Sequence, residues 1–261
     1  MRLQVLVATM DQSDYSLLDK MKIQTDAIVC NQCDRNEVDH FEYLGNKVAW
    51  YSFSERGVGL NRNNALMRAD ADIGMFADDD MVYVQSYPEI VKKAFQELPD
   101  ADVIIFDLKY PHGGRRPITK IKRLRKKDCM RFGAARFAVR LSRIHLNGVS
   151  FNICFGGGAK YSSGEDTLFL NDCISKGIKI YAYPAVIAHL QDERESTWFR
   201  GYNDKYFFDK GIIYYLINRK FGSLFAAYHC VKHRKKYSVY GLKNAWKKMR
   251  QGIRYAKTNH I

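Results

Sequence analysis

No window of this sequence supplies the roughly 20 consecutive apolar residues that crossing a bilayer takes. The longest late apolar run, residues 211–231, is broken by Asn218, Arg219 and Lys220, so an ordinary transmembrane protein is not expected. No export signal is expected at residues 1–10 either. Residues 1–10 carry one Arg and a short apolar run with no small-residue cleavage site behind it, and read as a first β-strand. Acids are missing from the end of the chain: from Arg219 onward there are twelve Lys or Arg and no Asp or Glu. The glycine-rich phosphate motifs are incomplete. The turn holding Gly57 and Gly59 lacks both the third glycine of a dinucleotide fingerprint and the Gly-Lys-Ser/Thr ending of a P-loop. Six cysteines, at 30, 33, 129, 154, 173 and 230, are scattered in a chain without an export signal, which suits free thiols in a reducing cytoplasm. Cys30 and Cys33 have CxxC spacing, but zinc needs two further ligands and none stands out. No internal repeat or low-complexity segment appears.

What is present is a chain of 261 residues, 46% hydrophobic, long enough to bury a full core. Its formal net charge of +14 and pI near 9.4 call for a polyanionic partner: nucleic acid, lipid headgroups or a phosphorylated substrate. Apolar β-type runs over 3–8, 26–30, 48–53, 73–77 and 103–107 alternate with helix-type patterns over 15–21, 60–68 and 88–97. That order implies a largely parallel sheet with helices on both faces. In such sheets ligands bind beyond the carboxyl ends of strands, which draws attention to 31–34 and 78–80. A basic stretch over 112–128, holding Arg115 and Arg116, reads either as a solvated loop or as a contact for phosphates. After Gly156, Gly157 and Gly158 come a helix over 166–175 and strands over 178–183 and 186–190. The basic, aromatic-interleaved end of the chain suits an anionic membrane surface.

Asp78, Asp79 and Asp80 stand where a buried strand leaves the sheet. Adjacent acids repel, and Mg²⁺ or Mn²⁺ bridging carboxylate and diphosphate is one solution; a solvated turn or helix cap is the other. Period-two geometry would put Asp78 and Asp80 on one side and Asp79 on the other. Glu165 and Asp166 open a helix whose positive end favours their ionised forms, so they are either caps or a base beside a separate metal site. His189, on an apolar strand, is either a core residue or a metal ligand. Trp198 follows the sheet and is either packed or available to stack on a sugar.

The order of these motifs resembles the family 2 glycosyltransferases of GT-A fold, particularly bacterial enzymes of capsule, exopolysaccharide or lipopolysaccharide assembly. The resemblance covers about residues 3–190. It rests on a first strand ending at Thr9, a second ending at Asn31-Gln32, GVGLNRNNAL over 57–66, FADDDM over 76–81 and YSSGEDTLF over 161–169. It implies a GT-A type Rossmann-like domain over 1–200, with a nucleotide-sugar half over 1–110 and an acceptor half over 111–200. A basic helical membrane-associating extension over 201–261 follows. It also implies that Thr9, Asn31, Gln32, Arg62, Asn63, Asp78 and Asp79 line the donor, with Asn31 and Gln32 where the family more often has acids. Asp80, Asp78 and His189 would hold Mn²⁺ or Mg²⁺. Asp166, with Glu165 beside it, would be the base, and Trp198, Arg115 and Arg116 would face the acceptor.

The activity implied is inverting transfer of a hexosyl or hexosaminyl group, with UDP-sugars favoured. The acceptor would be a hydroxyl of a glycan or of a lipid-diphosphate-linked molecule at the inner face of the cytoplasmic membrane. Two other readings of the residues stand beside it. A nucleic-acid-binding protein would use the same cations and aromatics, although no nucleic-acid module is present. A nucleotidyltransferase shares the sheet and the acids but would carry a basic glycine loop after the first strand, where this chain has Thr9-Met10-Asp11-Gln12.

Overall fold

A computed structural model describes residues 1–111, 116–191 and 201–261. Its centre is a ten-stranded sheet. The sheet grows from β1 (Leu3–Met10), whose apolar residues are nearly all buried and which pairs in parallel with β2 (Asp26–Gln32) and β5 (Ile73–Asp78). Beyond β2 lie β4 (Asn46–Phe53), parallel to it, and the antiparallel edge strand β3 (Glu37–Tyr43). On the other side the order continues through β9 (Phe137–Arg140), β7 (Val103–Lys109), β10 (Ile180–Leu190) and β6 (Met81–Tyr83), with β8 (Lys122–Arg123) on β10. The two late strands expected over 178–183 and 186–190 are one strand. Its register against β7 shifts between Ala182, Val186 and Ala188, around Pro184, as a residue without an N–H requires in a sheet.

Helices cover both faces. α1 (Leu17–Met21) and α3 (Tyr87–Glu97) pack on one, where Trp50, Met75 and Phe106 fill the core. On the other face α2 (Val58–Arg68), α4 (Leu141–Leu146) and α5 (Glu165–Ser175) close over Phe76, Phe137 and Ile180. Burial on both faces is why the central strands read as unbroken apolar runs.

Residues 201–261 form α6 (Asp204–Ile217), α7 (Gly222–Lys232) and α8 (Leu242–Thr258). α6 and α8 meet backbone to backbone. A Cβ on Gly211 would stand 2.0 Å from the Met249 carbonyl oxygen, and one on Gly252 would stand 2.0 Å from that of Phe208. The bundle has its own core of Phe207, Tyr214, Tyr237 and Met249. A second cluster joins Ile212 and Ile213 of α6 to Phe155 and Tyr161 of the α/β part. No helix among the described residues is long and apolar enough to cross a membrane.

Candidate active site

The chain leaves β1 toward β2 on one side and returns to β5 on the other, so the sheet order reverses between β1 and β5. In sheets of this order the crevice beyond the strand ends at such a reversal is where ligands bind. Thr9 ends one wall and Asp78 the other. Thr9 Oγ1 donates to Asp79 Oδ2 at 2.7 Å across the crevice, and Gln12 Nε2 donates to Thr9 Oγ1 at 2.9 Å. β5 stops at Asp78; Asp79 and Asp80 form a turn into β6. The period-two alternation expected for the three acids therefore does not hold, because the extended backbone it needs ends at the first of them. The Asp80 carbonyl accepts from Gln191 N–H at 2.8 Å, which ties this turn to the end of β10, where His189 is exposed opposite Val82.

Arg62 is the hub. It is 4% exposed and lies one helical turn into α2. Its guanidinium donates to Asp78 Oδ1 at 2.7 Å, to Asp166 Oδ1 at 2.9 Å and to Glu165 Oε1 at 3.2 Å. Burial works against its charge, yet Asp78, Asp166 and Glu165 together raise its pKa above the ordinary value. This guanidinium offsets part of the negative charge at Asp78.

Glycine makes the meeting possible. Val58 N–H donates to the Gly157 carbonyl at 2.9 Å, so the glycine run lies against the start of α2. At Gly156, whose φ is +104°, a Cβ would stand 2.5 Å from Val58 Cγ1 and 2.9 Å from Glu165 Cδ. Only glycine fits that position.

Asp166 keeps 24% exposure, whereas Glu165 lies deeper, its Oε2 accepting Gly164 N–H at 3.0 Å. Burial and the Glu165 charge push the Asp166 carboxyl up to about 7, against the opposing pull of Arg62. A carboxylate of that pKa exchanges a proton near neutrality, as a general base must.

The amides of the candidate donor side are tied to the backbone. Asn31 is fully buried and gives both ends of its side chain to Gln12, accepting from N–H and donating to C=O at 3.0 Å each. Asn63 does the same to Phe151, at 2.8 Å in both directions. Both side chains bond main-chain groups and so hold the loops at Gln12 and Phe151 in place. Gln32 is half-buried, and its Oε1 accepts Gly57 N–H at 2.6 Å. Arg116 is exposed, its carbonyl held by Arg131. Arg115 and Trp198 lie outside the described residues.

Three residues join the site without a signal in the sequence. Asn61 Nδ2 donates to the carbonyls of Thr9 and Cys30 at 3.2 and 2.8 Å, clamping the ends of β1 and β2. Asp209 of α6 is 2% exposed and accepts from both Ser162 N–H and Ser162 Oγ at 2.9 Å, anchoring the loop before Glu165. Burial pulls the pKa of the adjacent Lys210 down, while Glu165 and Asp209 oppose the shift.

No three His, Cys, Asp or Glu side chains among the described residues converge into a ready metal cage. Mg²⁺ and Mn²⁺ do not need one. Mg²⁺ commonly takes one or two carboxylates and completes its shell with substrate phosphates and water, so the oxygen donors of the 78–80 turn fit such an ion. The CxxC thiols do not point to a metal: both are buried, and burial pushes Cys30 up to about 12, away from the thiolate a metal binds.

No protein-family model matches the chain, and no curated protein matches it in sequence. Solved structures do. S. aureus TarS residues 1–349 in complex with UDP-GlcNAc superposes with a TM-score of 0.64 at 15% identity, covering 91% of this chain and 73% of that one. The same protein in complex with UDP gives 0.61 at 15% identity over 91% and 72%. A longer TarS structure gives 0.60 at 14% identity over 89% of this chain and 43% of that one. At such identity the likeness is one of fold.

Proposed function

We propose that this chain is a glycosyltransferase that takes a nucleotide-diphosphate sugar and passes the sugar, with inversion, to an acceptor hydroxyl. The observation that carries the reading is the convergence of Asp78, Glu165 and Asp166 on buried Arg62 at the crevice between β1 and β5. It is supported by the fold shared with TarS, which has been solved with UDP-GlcNAc and with UDP. Hence a UDP-sugar is the proposed donor and a hexosyl or hexosaminyl group the one moved.

Asp166 takes the proton of the acceptor hydroxyl as that oxygen bonds to the anomeric carbon, and the bond from that carbon to the diphosphate oxygen breaks with its electron pair leaving on the diphosphate. Arg62 holds the Asp166 carboxylate in place and neutralises Asp78 beside it. Thr9 and Asp79 form the donor side of the crevice. A Mg²⁺ or Mn²⁺ ion held by Asp80, Asp78 and His189 would supply Lewis-acid stabilisation of the diphosphate. The acceptor is proposed to be a glycan or lipid-diphosphate-linked molecule of surface-polysaccharide assembly. The one-signed helices of residues 219–261 would present it at an anionic membrane face.

The test is a thermal-shift screen of the chain against UDP-, GDP- and CDP-sugars with Mn²⁺ or Mg²⁺, followed by transfer assays with the class that binds. Stabilisation by one nucleotide class, and transfer that Asp166→Asn abolishes, are the expected results. A protein that responds to no nucleotide, or an Asp166→Asn variant with full activity, sinks the reading.

A further inference from the structure

α7 is apolar on two opposite faces. Gly222, Ala226 and Cys230 recur every fourth residue and are buried, with Gly222 set against the backbone of Tyr214 and Tyr215 in α6. The other face is bare: Leu224, Tyr228 and Val231 are 64, 64 and 62% exposed, and Phe221 and Phe225 are exposed beside them. Val239, in the link to α8, is fully exposed, and Trp246 near the start of α8 is also exposed. A helix that is apolar all round normally belongs inside a structure, so this bare stripe marks a surface that something covers.

The surrounding charge says what. Cations are interleaved with the aromatics: Lys220 Nζ lies 5.6 Å from the Phe221 ring, Lys232 Nζ 5.8 Å from Tyr228 and the Arg250 guanidinium 4.7 Å from Trp246. Arg234, Lys235, Lys236, Lys243 and Lys247 are exposed, and no acid occurs from residue 219 to the end. A second copy of the chain docking through this face would set like charge against like charge. A nucleic acid would use the cations but leave Leu224, Val231 and Val239 in water. An anionic bilayer satisfies both, taking the apolar side chains below the headgroups and the cations among them.

We infer that α7 is a membrane-docking helix, inserting its Leu224–Tyr228–Val231 face into the boundary of an anionic bilayer. The inference deepens the reading of residues 201–261 as a peripheral membrane segment and moves the contact away from the most amphipathic helix. The apolar side of α8, with Ala245, Met249, Gly252 and Ala256, is buried, Gly252 lying against the α6 backbone. α6 backs α7 and, through Asp209, holds Ser162 in the loop that leads to Asp166, so one helix links the docked face to the proposed base.

The experiment is co-sedimentation of the full 261-residue chain with vesicles of phosphatidylcholine alone and of phosphatidylcholine mixed with phosphatidylglycerol. Wild type should bind the mixed vesicles and not the neutral ones. The double variant Leu224→Glu/Tyr228→Glu should lose about tenfold or more in affinity, because apolar insertion and the attraction of the cations to anionic headgroups are both needed for the contact. Leu146→Glu, at an equally exposed apolar site on α4, should bind as wild type does. The inference is overturned if the double variant binds mixed vesicles as well as wild type. It is also overturned if wild type ignores both vesicles while sedimentation velocity shows self-association that the double variant abolishes. Stabilisation by UDP is measured on the same proteins. Its absence alongside intact vesicle binding would remove the transferase reading and leave the docking helix standing.

Discussion

Arg62 Nη2 lies 2.7 Å from Asp78 Oδ1, a contact that joins the first turns of α2 to the end of β5. The same guanidinium carries Asp166 and Glu165, so three carboxylates depend on one buried cation. Arg62→Met would leave them facing each other with nothing opposite. Breaking a buried ion-pair network by removing one partner costs about 3–5 kcal/mol. Urea unfolding of Arg62→Met should show a loss of that size at neutral pH and a smaller one at pH 4, where the Asp166 carboxyl, raised to about 7, is protonated. An equal loss at both pH values would mean that Arg62 acts by packing against Phe151, 5.5 Å away, and not by charge.

The pKa of Asp166 in the folded chain, about 7, stands above its unfolded value near 3.8. The sign follows from linkage. A carboxyl with a raised folded pKa contributes stability that is full below the unfolded value and lost as pH rises through the folded one. Asp166→Asn, which cannot ionise, should therefore match wild type near pH 3.5 and exceed it above pH 7, by on the order of 2 kcal/mol. Activity has the opposite dependence. Wild-type kcat/KM should fall tenfold per unit below about pH 7, because the base must be ionised. Thermal melts across pH and a pH–rate profile check the two halves separately.

Much of this arrangement was legible before the structure. β1, β2, β5 and β7 are buried on both faces and so read as continuous apolar runs, which a single sequence exposes. β3 was not legible because its Glu37, Asp39 and Glu42 belong to a half-wet edge, and β9 because four residues carry too little pattern. The acids at 78–80 and 165–166 announced themselves by position. Asn31 and Asn63 announced themselves too, but their partners are main-chain groups of Gln12 and Phe151, supplied by loops that only the fold brings near. Asn61 and Asp209 were silent for the same reason: what gives them meaning lies 31 to 52 residues away.

Thr9 and Asp79 span the crevice by one hydrogen bond of 2.7 Å. Thr9→Val keeps the shape and removes the hydroxyl, so the Asp79 carboxylate loses this hydrogen bond without losing its charge. The fold should survive with a stability change of about 1 kcal/mol, while affinity for the donor nucleotide drops about tenfold. Isothermal titration with UDP in the presence of Mn²⁺ reads the second quantity. Unchanged affinity would detach Asp79 from donor binding.

The α6–α8 contact tolerates no side chain at Gly211, where a Cβ would stand 2.0 Å from the Met249 carbonyl. That atom is backbone and cannot swing aside. Gly211→Ala should push the helices apart and cost about 3 kcal/mol, despite the better helix propensity of alanine. Because α6 also carries Asp209, the variant should lose transfer activity while still being stabilised by UDP. A variant as stable as wild type would mean that the helices sit farther apart in solution.

Asp80 sits on the turn between β5 and β6, its carbonyl accepting Gln191 N–H, while Asp78 in the strand before it is engaged by Arg62. Asp78 would have to give up part of its ion pair with Arg62 to ligate a divalent ion, so Asp80 is the proposed principal ligand. If such an ion bridges protein and diphosphate, nucleotide binding and metal binding are linked, and each strengthens the other. Thermal stabilisation of wild type by UDP should grow when Mn²⁺ is added and shrink with chelator. In Asp80→Ala the two curves should coincide, and His189→Ala should fall between them if that ring also reaches the ion. The melting point of Asp80→Ala without nucleotide, measured alongside, separates a loss of metal linkage from a folding defect. Metal dependence that persists in Asp80→Ala would move the ion to other donors and leave the 78–80 turn with a structural task alone.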